Sequence, residues 1–473
     1  MFGLLFDLEC KYKIRIQFNK VSDESFSSVS LIKVGWMCIM KLDYATGFYN
    51  MSFFNINIET EEELTQDVLK KNEATFIHEF IHYLQDLVLP YNIRYSLSNV
   101  RWFFNILNSA HKMGSIHRPF SEWNNESSTL WIQFIRSIGD SRSIDSVFKI
   151  ENATSEFVIT SGYDSNLHIQ REHRVYEYML PVFEDGKSTS ISYNLGARDI
   201  LEYIAYKIQL KNFPNSPPAP QLPYESIDLI FEKYGLSHIS DDIRLCIAEC
   251  CLYNDVPMHF LLNTLLGNDK FKKYIIDSSY EEIYNYLLLS ATITRDGQIE
   301  TLIAKTQRRL IQFARELQLQ YSGFDEIKKW ILKVNSFVEH KLSGRFIFSD
   351  LYKMDSDEMF KFINDVIYCI GIPLVMNSRK KYISIHLNDI EVSQFIQFYI
   401  LQNFIYFVKS KQTQCPVYNF CKANGGICNE NCTVNKQETI KGNENCYYRR
   451  FMEKYELFDI NYIYLFDYLF ISS

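Results

Sequence analysis

Residues 75–86 read Thr-Phe-Ile-His-Glu-Phe-Ile-His-Tyr-Leu-Gln-Asp, with His78 and His82 four positions apart and Glu79 beside the first. On an α-helix, at about 100° per residue, four positions bring two side chains within about 40° of each other on one face. Two imidazoles so placed can share one metal ion, and Glu79 can reach a water on that ion without being a ligand. Phe76, Ile77, Phe80, Ile81 and Leu84 surround the trio. Polar groups in such a setting need partners, which a metal or hydrogen bonds can supply. Upstream, Thr60 and Glu63 match an S/T-x-x-E capping box, so a helix is expected over 61–88, stopping before Pro90.

The stretch TFIHEFIHYLQD resembles the active-site helix of the HExxH zinc metallopeptidases, in their Glu-zincin, thermolysin-like branch. The resemblance implies that His78, His82 and a Glu from a later helix hold a catalytic Zn²⁺, with Glu79 as general base. It covers residues 61–88 and one further segment, and says nothing about residues beyond Pro223. The metzincin pattern fails, because Gln85 stands where Gly is required and Val88 where His is required. No Glu occurs between Tyr83 and Phe120, and Glu122 falls in an apparent loop. The best third ligand is Glu202, in LGARDILEYIAYK, where small Ala205 one turn on would let that helix approach the metal helix closely. Two departures from the thermolysin pattern are the much longer spacer and Tyr206 in place of an Asp four after the ligand. Rival third ligands are His111, His117, Glu177 and Asp86. The HIQREH stretch, His168 to His173, puts its two His about 140° apart on a helix, so both cannot face one ion. Asp86, one turn beyond His82, is a candidate to orient that ring. Tyr203, Tyr206, His173 and Arg198 are candidates to stabilise an oxyanion.

The remainder of the 473-residue chain sets the frame. Lys and Arg number 49 against 57 Asp and Glu, a net charge of −8, which argues against a general nucleic-acid binder. With 47% hydrophobic and 15% aromatic residues, the chain is not mainly disordered. The most apolar stretch, 395–408, is interrupted by Gln397, Gln402 and Asn403 and reads as a buried helix, so no membrane association is expected. Without a basic stretch before the first apolar residues, no secretory signal is expected, and a cytoplasmic location with reduced thiols follows. Cys415, Cys421, Cys428, Cys432 and Cys446 lie among Asn, Gly and Lys, and four of the five suit a second, structural Zn²⁺, with an iron–sulfur cluster the lesser alternative. Cys246, Cys250 and Cys251 read as core residues.

Period-two alternation predicts strands at 11–18, 30–42 and 49–58, with weaker signals at 156–160 and 190–193. Helices are expected at 98–112, 128–138 and 197–210. Five prolines within 214–223 mark a linker. The expected architecture is α+β, mostly α. A zincin-like metallopeptidase domain (1–213) has a small N-terminal sheet packed on the HExxH helix. A helical accessory domain (224–410), a Cys-rich metal-binding knuckle (411–450) and an aromatic tail (451–473) follow. The expected activity is zinc-dependent hydrolysis of a peptide or protein, with the helical half offering a surface for a protein partner. The rivals are a non-catalytic, metal-stabilised interaction protein and a zinc hydrolase acting on a non-peptide bond. An edge strand at 49–58 would bind an extended peptide by strand addition.

Overall fold

The computed structural model describes residues 47–118, 120, 137–144, 155–164, 169–184, 187–295, 298–320, 323–342, 344–387, 390–410, 412–426, 428, 432 and 446–464. The strands expected at 11–18 and 30–42, and the helix expected at 128–138 save its last two residues, lie outside them.

The fold is mostly helical with a small mixed sheet. The stretch expected as one strand at 49–58 is a hairpin: β1 (Gly47–Asn50) runs antiparallel to β2 (Asn55–Ile58), with Tyr49 opposite Ile56. The turn between them places Ser52 and Phe54 at positive φ. It is held by the buried carboxylate of Asp86, which accepts the Ser52 N–H at 2.6 Å and the Asn92 amide at 3.0 Å. After β2 comes not a long helix from residue 61 but an irregular segment with a bend at Glu61 and Glu62. Its backbone is captured by a later hairpin: Ser378 N–H donates to Thr60 O and the Asn377 amide to Glu62 O, both at 2.9 Å. Thr65, not Thr60, is therefore the N-cap. Its hydroxyl accepts from Val68 N–H and opens α1 (Gln66–Lys71), after which α2 (Glu73–Val88) carries the histidines.

Every residue of α2 from Phe76 to Val88 is buried. A helix enclosed on all sides is a core element rather than a surface one. The hairpin β1–β2 covers one side, α3 (Pro90–Met113) follows directly with proline at its first turn, and α4 (Ala197–Asn212) packs on the histidine face. Between α3 and α4 run β3 (Ser115–Arg118) and an antiparallel meander of β4 (Ser155–Asp164), β5 (Ile169–Glu184) and β6 (Lys187–Leu195). Here His173 stands opposite Thr160 on a strand, so helical geometry does not apply to HIQREH; His168 lies outside the described residues.

The second half contributes α5 (Ser226–Lys233), α6 (Asp241–Cys251), the hairpin β7 (Ile293–Arg295) and β8 (Gln298–Glu300), α7 (Leu302–Gln320), α8 (Asp325–Lys341), α9 (Ile347–Lys353) and α10 (Ser356–Ile370). Then β9 (Ile372–Asn377) and β10 (Tyr382–Ile385) interrupt what reads as continuous helix. Strand β9 pairs parallel with β2, Asn55 opposite Leu374, completing the order β1-β2-β9-β10. Gly371 makes the entry to β9 at φ 71°, a conformation that suits glycine, and its carbonyl accepts the Tyr83 hydroxyl of α2 at 2.5 Å. The apolar α11 (Val392–Lys409) is buried as expected, and no helix among the described residues is long and apolar enough to cross a membrane. After α12 (Tyr418–Ala423) and α13 (Tyr447–Lys454), β11 (Asn461–Tyr464) pairs parallel with β3.

The segments expected as separate domains, 1–213 and 224–410, thus share a sheet, and one hydrophobic core runs from Tyr49 to Ile460. The proline-rich stretch does not stand off as a spacer: Leu222 is buried and bridges to Ile144. The end of the stretch read as a linker is recruited because Leu222 has apolar surface to bury, directly before buried Tyr224.

The start of α4 is fixed by backbone packing. Ala197 N–H and Arg198 N–H donate to Ser137 O and Ile138 O, both at 2.9 Å. The Asp199 carboxylate accepts from Gly196 N–H, Tyr193 Oη and Ser226 Oγ at 2.8, 3.0 and 2.6 Å. A Cβ on Gly196 would lie 2.2 Å from Gly139 N and from the Ile138 carbonyl carbon, backbone atoms with nowhere to go. Gly196→Ala is therefore expected to cost about 2–3 kcal/mol of stability, measured by chemical denaturation; a neutral effect would mean that α4 is not anchored at this point.

Candidate metal centre

The positions of α2 and α4 bring three side chains to one point. His78 Nε2 lies 3.3 Å and His82 Nε2 3.2 Å from Glu202 Oε2, and the two Nε2 atoms are 3.2 Å apart. All three are buried, at 7%, 2% and 1% exposure. A tetrahedral ion with ligand bonds of roughly 2.0–2.1 Å spaces its ligand atoms about 3.3–3.4 Å apart. The triangle is thus one face of a tetrahedron, and the group can hold a metal ion. Small Ala205, one turn beyond Glu202, is fully buried.

Hydrogen bonds on the far side of each ring fix which nitrogen faces the centre. His82 Nδ1 lies 2.8 Å from Gln85 Oε1, and Gln85 Nε2 donates to Leu201 O at 3.1 Å. Because that donation commits the amide nitrogen, the amide oxygen must accept from His82 Nδ1–H, leaving the Nε2 lone pair aimed inward. His78 Nδ1 is paired with Gln209 Oε1 at 3.0 Å in the same way. Two imidazole lone pairs and a carboxylate then converge with no donor of their own, an arrangement that needs a cation or a proton to bind it together.

The electrostatics report the same need. Burial disfavours a charged His82, yet Glu202, Glu79 and the Gln85 hydrogen bond overcome it and raise its pKa to about 9. Burial would raise Glu202, but His82 and His78 outweigh it and hold the carboxyl well below the usual range. His78 is lowered, burial prevailing over the pull of Glu202. Without an ion, these shifts favour a proton on His82, facing the Glu202 carboxylate. Glu79 is raised to about 8 by burial, with His82 opposing and Glu202 adding to the effect.

The candidates named from sequence divide sharply. Arg198 lies against the Glu202 carboxylate, Nε to Oε1 3.9 Å, while its Nη1 donates to Asp140 O and Arg142 O; it is a charge partner of the ligand. Asp86 does not orient His82, since it holds the β1–β2 turn, and Gln85 takes that part. Tyr203 points away and donates to Asp228 Oδ1 at 3.0 Å. Tyr206 packs against Tyr224, ring centroids 5.1 Å apart, and Tyr224 in turn lies 5.9 Å from the His78 ring. His173 and Glu177 are on β5. His111 bonds the Tyr455 carbonyl and His117 sits opposite Ile463 on β3, so neither rival ligand joins the centre.

Three residues of the centre escaped the sequence reading: Gln85, Gln209 and Tyr224. The first two carry a signal in hindsight, at three positions after His82 and seven after Glu202 on the same helical faces. Tyr224 carries none, because it arrives from the proline-rich segment.

His78, His82 and Glu202 are the only set among the described residues whose ligating atoms gather within 4.8 Å. The five C-terminal cysteines converge without reaching that spacing; burial, then Cys446, Cys428 and Cys432, push the Cys421 thiol up to about 12. Cys246, Cys250 and Cys251 are buried on α6, as expected of core residues. Comparison with protein-family models, with curated proteins and with solved structures finds no match to this chain.

Because His82 must lose a proton held with a pKa of about 9 before it can ligate, metal affinity is expected to rise about tenfold per pH unit between about pH 7 and 9, then level off. Calorimetric titration of metal-free protein measures this, and a flat profile would remove His82 as a ligand. Gln85→Ala is expected to weaken binding about 10–100-fold, whereas His78→Ala and Glu202→Ala abolish it.

Proposed function

We propose that the chain is a zinc-dependent hydrolase acting on peptide bonds, with His78, His82 and Glu202 holding the ion and Glu79 as general base. The donor set, two imidazoles and one carboxylate, is a combination that suits Zn²⁺ and leaves a fourth position for solvent or substrate. When bound, the ion supplies an acidified water and polarises a carbonyl.

The observation that carries this reading is the condition of Glu79. Of the four buried carboxyl groups around the centre, Asp86 and Asp199 accept hydrogen bonds from the protein and Glu202 meets both imidazoles. Glu79, 5% exposed, accepts none from any described residue, yet lies within the fields of His82 and Glu202. A carboxyl group kept raised but unengaged beside a cation site suits proton transfer. A metal charge would draw it down from about 8 into the range of a working base.

Strand β1 supports a peptide as the substrate. It ends the sheet among the described residues, and a Cβ on its Gly47 would sit 3.3 Å from Glu79 Cγ. An extended segment added along β1 would run past the general base. Tyr224, its ring beside His78, would be the donor to an oxyanion. The near-complete burial of the ligands favours a second reading, an ion that only ties α2 to α4.

Glu79→Gln separates the two. Metal content should stay at wild-type level while cleavage of a peptide library falls at least about 100-fold. Retained cleavage would overturn the role of Glu79, and no cleavage by wild-type protein, with unfolding on metal removal, would favour the structural ion.

A further inference from the structure

The C-terminal cysteines lie far from α2 in sequence and have no part in the proposed hydrolysis, yet separate pieces of chain bring them together. Cys421 is buried on α12, and the turn Asn424–Gly425–Gly426 folds the chain back over it: Gly426 N–H donates to Cys421 O at 2.8 Å, and Gly425 has φ 74°. Two residues later Cys428 returns to the start of the same helix, its Sγ 3.6 Å from Tyr418 O. Cys415 N–H donates to Cys432 O at 2.9 Å, which tethers Cys432 to the strand of chain entering α12. Cys446 arrives as the N-cap of α13, its Sγ accepting from Arg449 N–H at 3.4 Å. That end is pinned to the glycine turn by Tyr447, whose hydroxyl donates to Asn424 O at 3.4 Å and whose ring lies 5.5 Å from Phe420.

We propose that Cys421, Cys428, Cys432 and Cys446 form a second metal site, a closed tetrathiolate for a thiophilic divalent ion of the Zn²⁺ class, with Cys415 as the spare thiol. All six pairings within this set of four interact electrostatically. The Cys415 thiol lies within the fields of Cys421, Cys446 and Cys432 as well, and its backbone N–H holds Cys432 in place. The N–H donated to Cys446 Sγ at the start of α13 is the kind of bond that stabilises a thiolate. The sulfurs stand wider than ligand spacing, so an ion would draw them in, the thiols releasing their protons to solvent as four Zn–S bonds of about 2.3 Å form. Four thiolates fill a tetrahedron and leave no position for substrate, so this ion is structural. It would tie α12 and α13 to the β9–β10 hairpin, on which Phe420 stacks through Tyr382 at 5.8 Å and Asn424 donates to Lys380 O.

The test uses the full-length chain, reduced, with His78→Ala and His82→Ala so that the first centre cannot contribute. Cobalt(II) titration is expected to saturate at one equivalent with the intense thiolate-to-metal absorption of tetrahedral sulfur ligation. Adding Zn²⁺ should bleach that absorption and protect four cysteines from alkylation, located by peptide mass mapping. Cys428→Ser is expected to lose the absorption and Cys415→Ser to keep it. Absence of thiolate–metal absorption, a protected set that includes Cys415, or disulfides among these residues in protein isolated without reductant would each overturn the assignment. Protection mapping needs no variant of the cysteines themselves, so a Cys428→Ser chain that fails to fold still leaves the site decided.

Discussion

Two imidazole lone pairs and a carboxylate oxygen aimed at one point inside a protein repel one another unless something positive sits between them. That constraint organises the middle of this molecule. Gln85 and Gln209 each hold the outer nitrogen of a histidine, and Gln85 is itself held by Leu201 O, so the rings cannot turn to relieve the conflict. The cost of such an arrangement without a cation falls on His82, whose pKa is raised so that it holds a proton more tightly than in water. A buried pair formed by that imidazolium and Glu202 contributes little net stability, because desolvation consumes most of the attraction. The geometry is better explained as preorganisation for an ion.

Preorganisation requires that both helices arrive in fixed positions. For α2 this is achieved by enclosure: thirteen consecutive buried residues leave no direction in which it can shift. Two contacts reach the rest of the fold through the junction before β9, where Tyr83 donates to Gly371 O and Trp330 Nε1 to Ile370 O at 2.7 Å. For α4 it is achieved at the N-terminus, through Gly196 packed on Gly139 and the three donors on Asp199. Glu202 stands one turn beyond that anchor, so its carboxylate inherits the precision of the backbone contact. The parallel pairing of β2 with β9 then explains why the second half of the chain cannot be treated as an appendage: it supplies half of the sheet on which the metal helix rests.

What was legible in the sequence was what depends on one helix at a time. The spacing of His78 and His82, and the Glu202–Ala205 turn of α4, follow from 3.6 residues per turn and need no knowledge of the fold. The cap at Thr60 was misread for a reason that is not local. Its capping pattern is sound, but Asn377 and Ser378, more than three hundred residues away, take the backbone of this segment first. The strand β9 was missed because its short apolar run, Ile372 to Met376, has no periodicity to separate it from the helix before it. Tyr224 was hidden directly after a stretch whose prolines signal a linker, and only burial of Leu222 and its neighbours against the core brings it to the site. Pairings between distant segments decide all three.

The four carboxyl groups near the centre show how burial can be used in different ways. Asp86 and Asp199, each raised to about 6 chiefly by burial, are neutralised in effect by the donors they gather, and they act as struts for a turn and a helix start. Glu202 is moved the opposite way, because two imidazoles face it. Glu79 experiences the desolvation without a donor among the described residues. A buried carboxyl group without protein partners is costly, and packing alone would be served equally well by a glutamine or a methionine of similar size. Its position one residue after the first histidine, on the enclosed helix, puts that proton affinity beside the one point in the described structure where three ligand groups could hold a cation. A purely structural ion would need the three ligands and their glutamine supports, and would give Glu79 nothing to do.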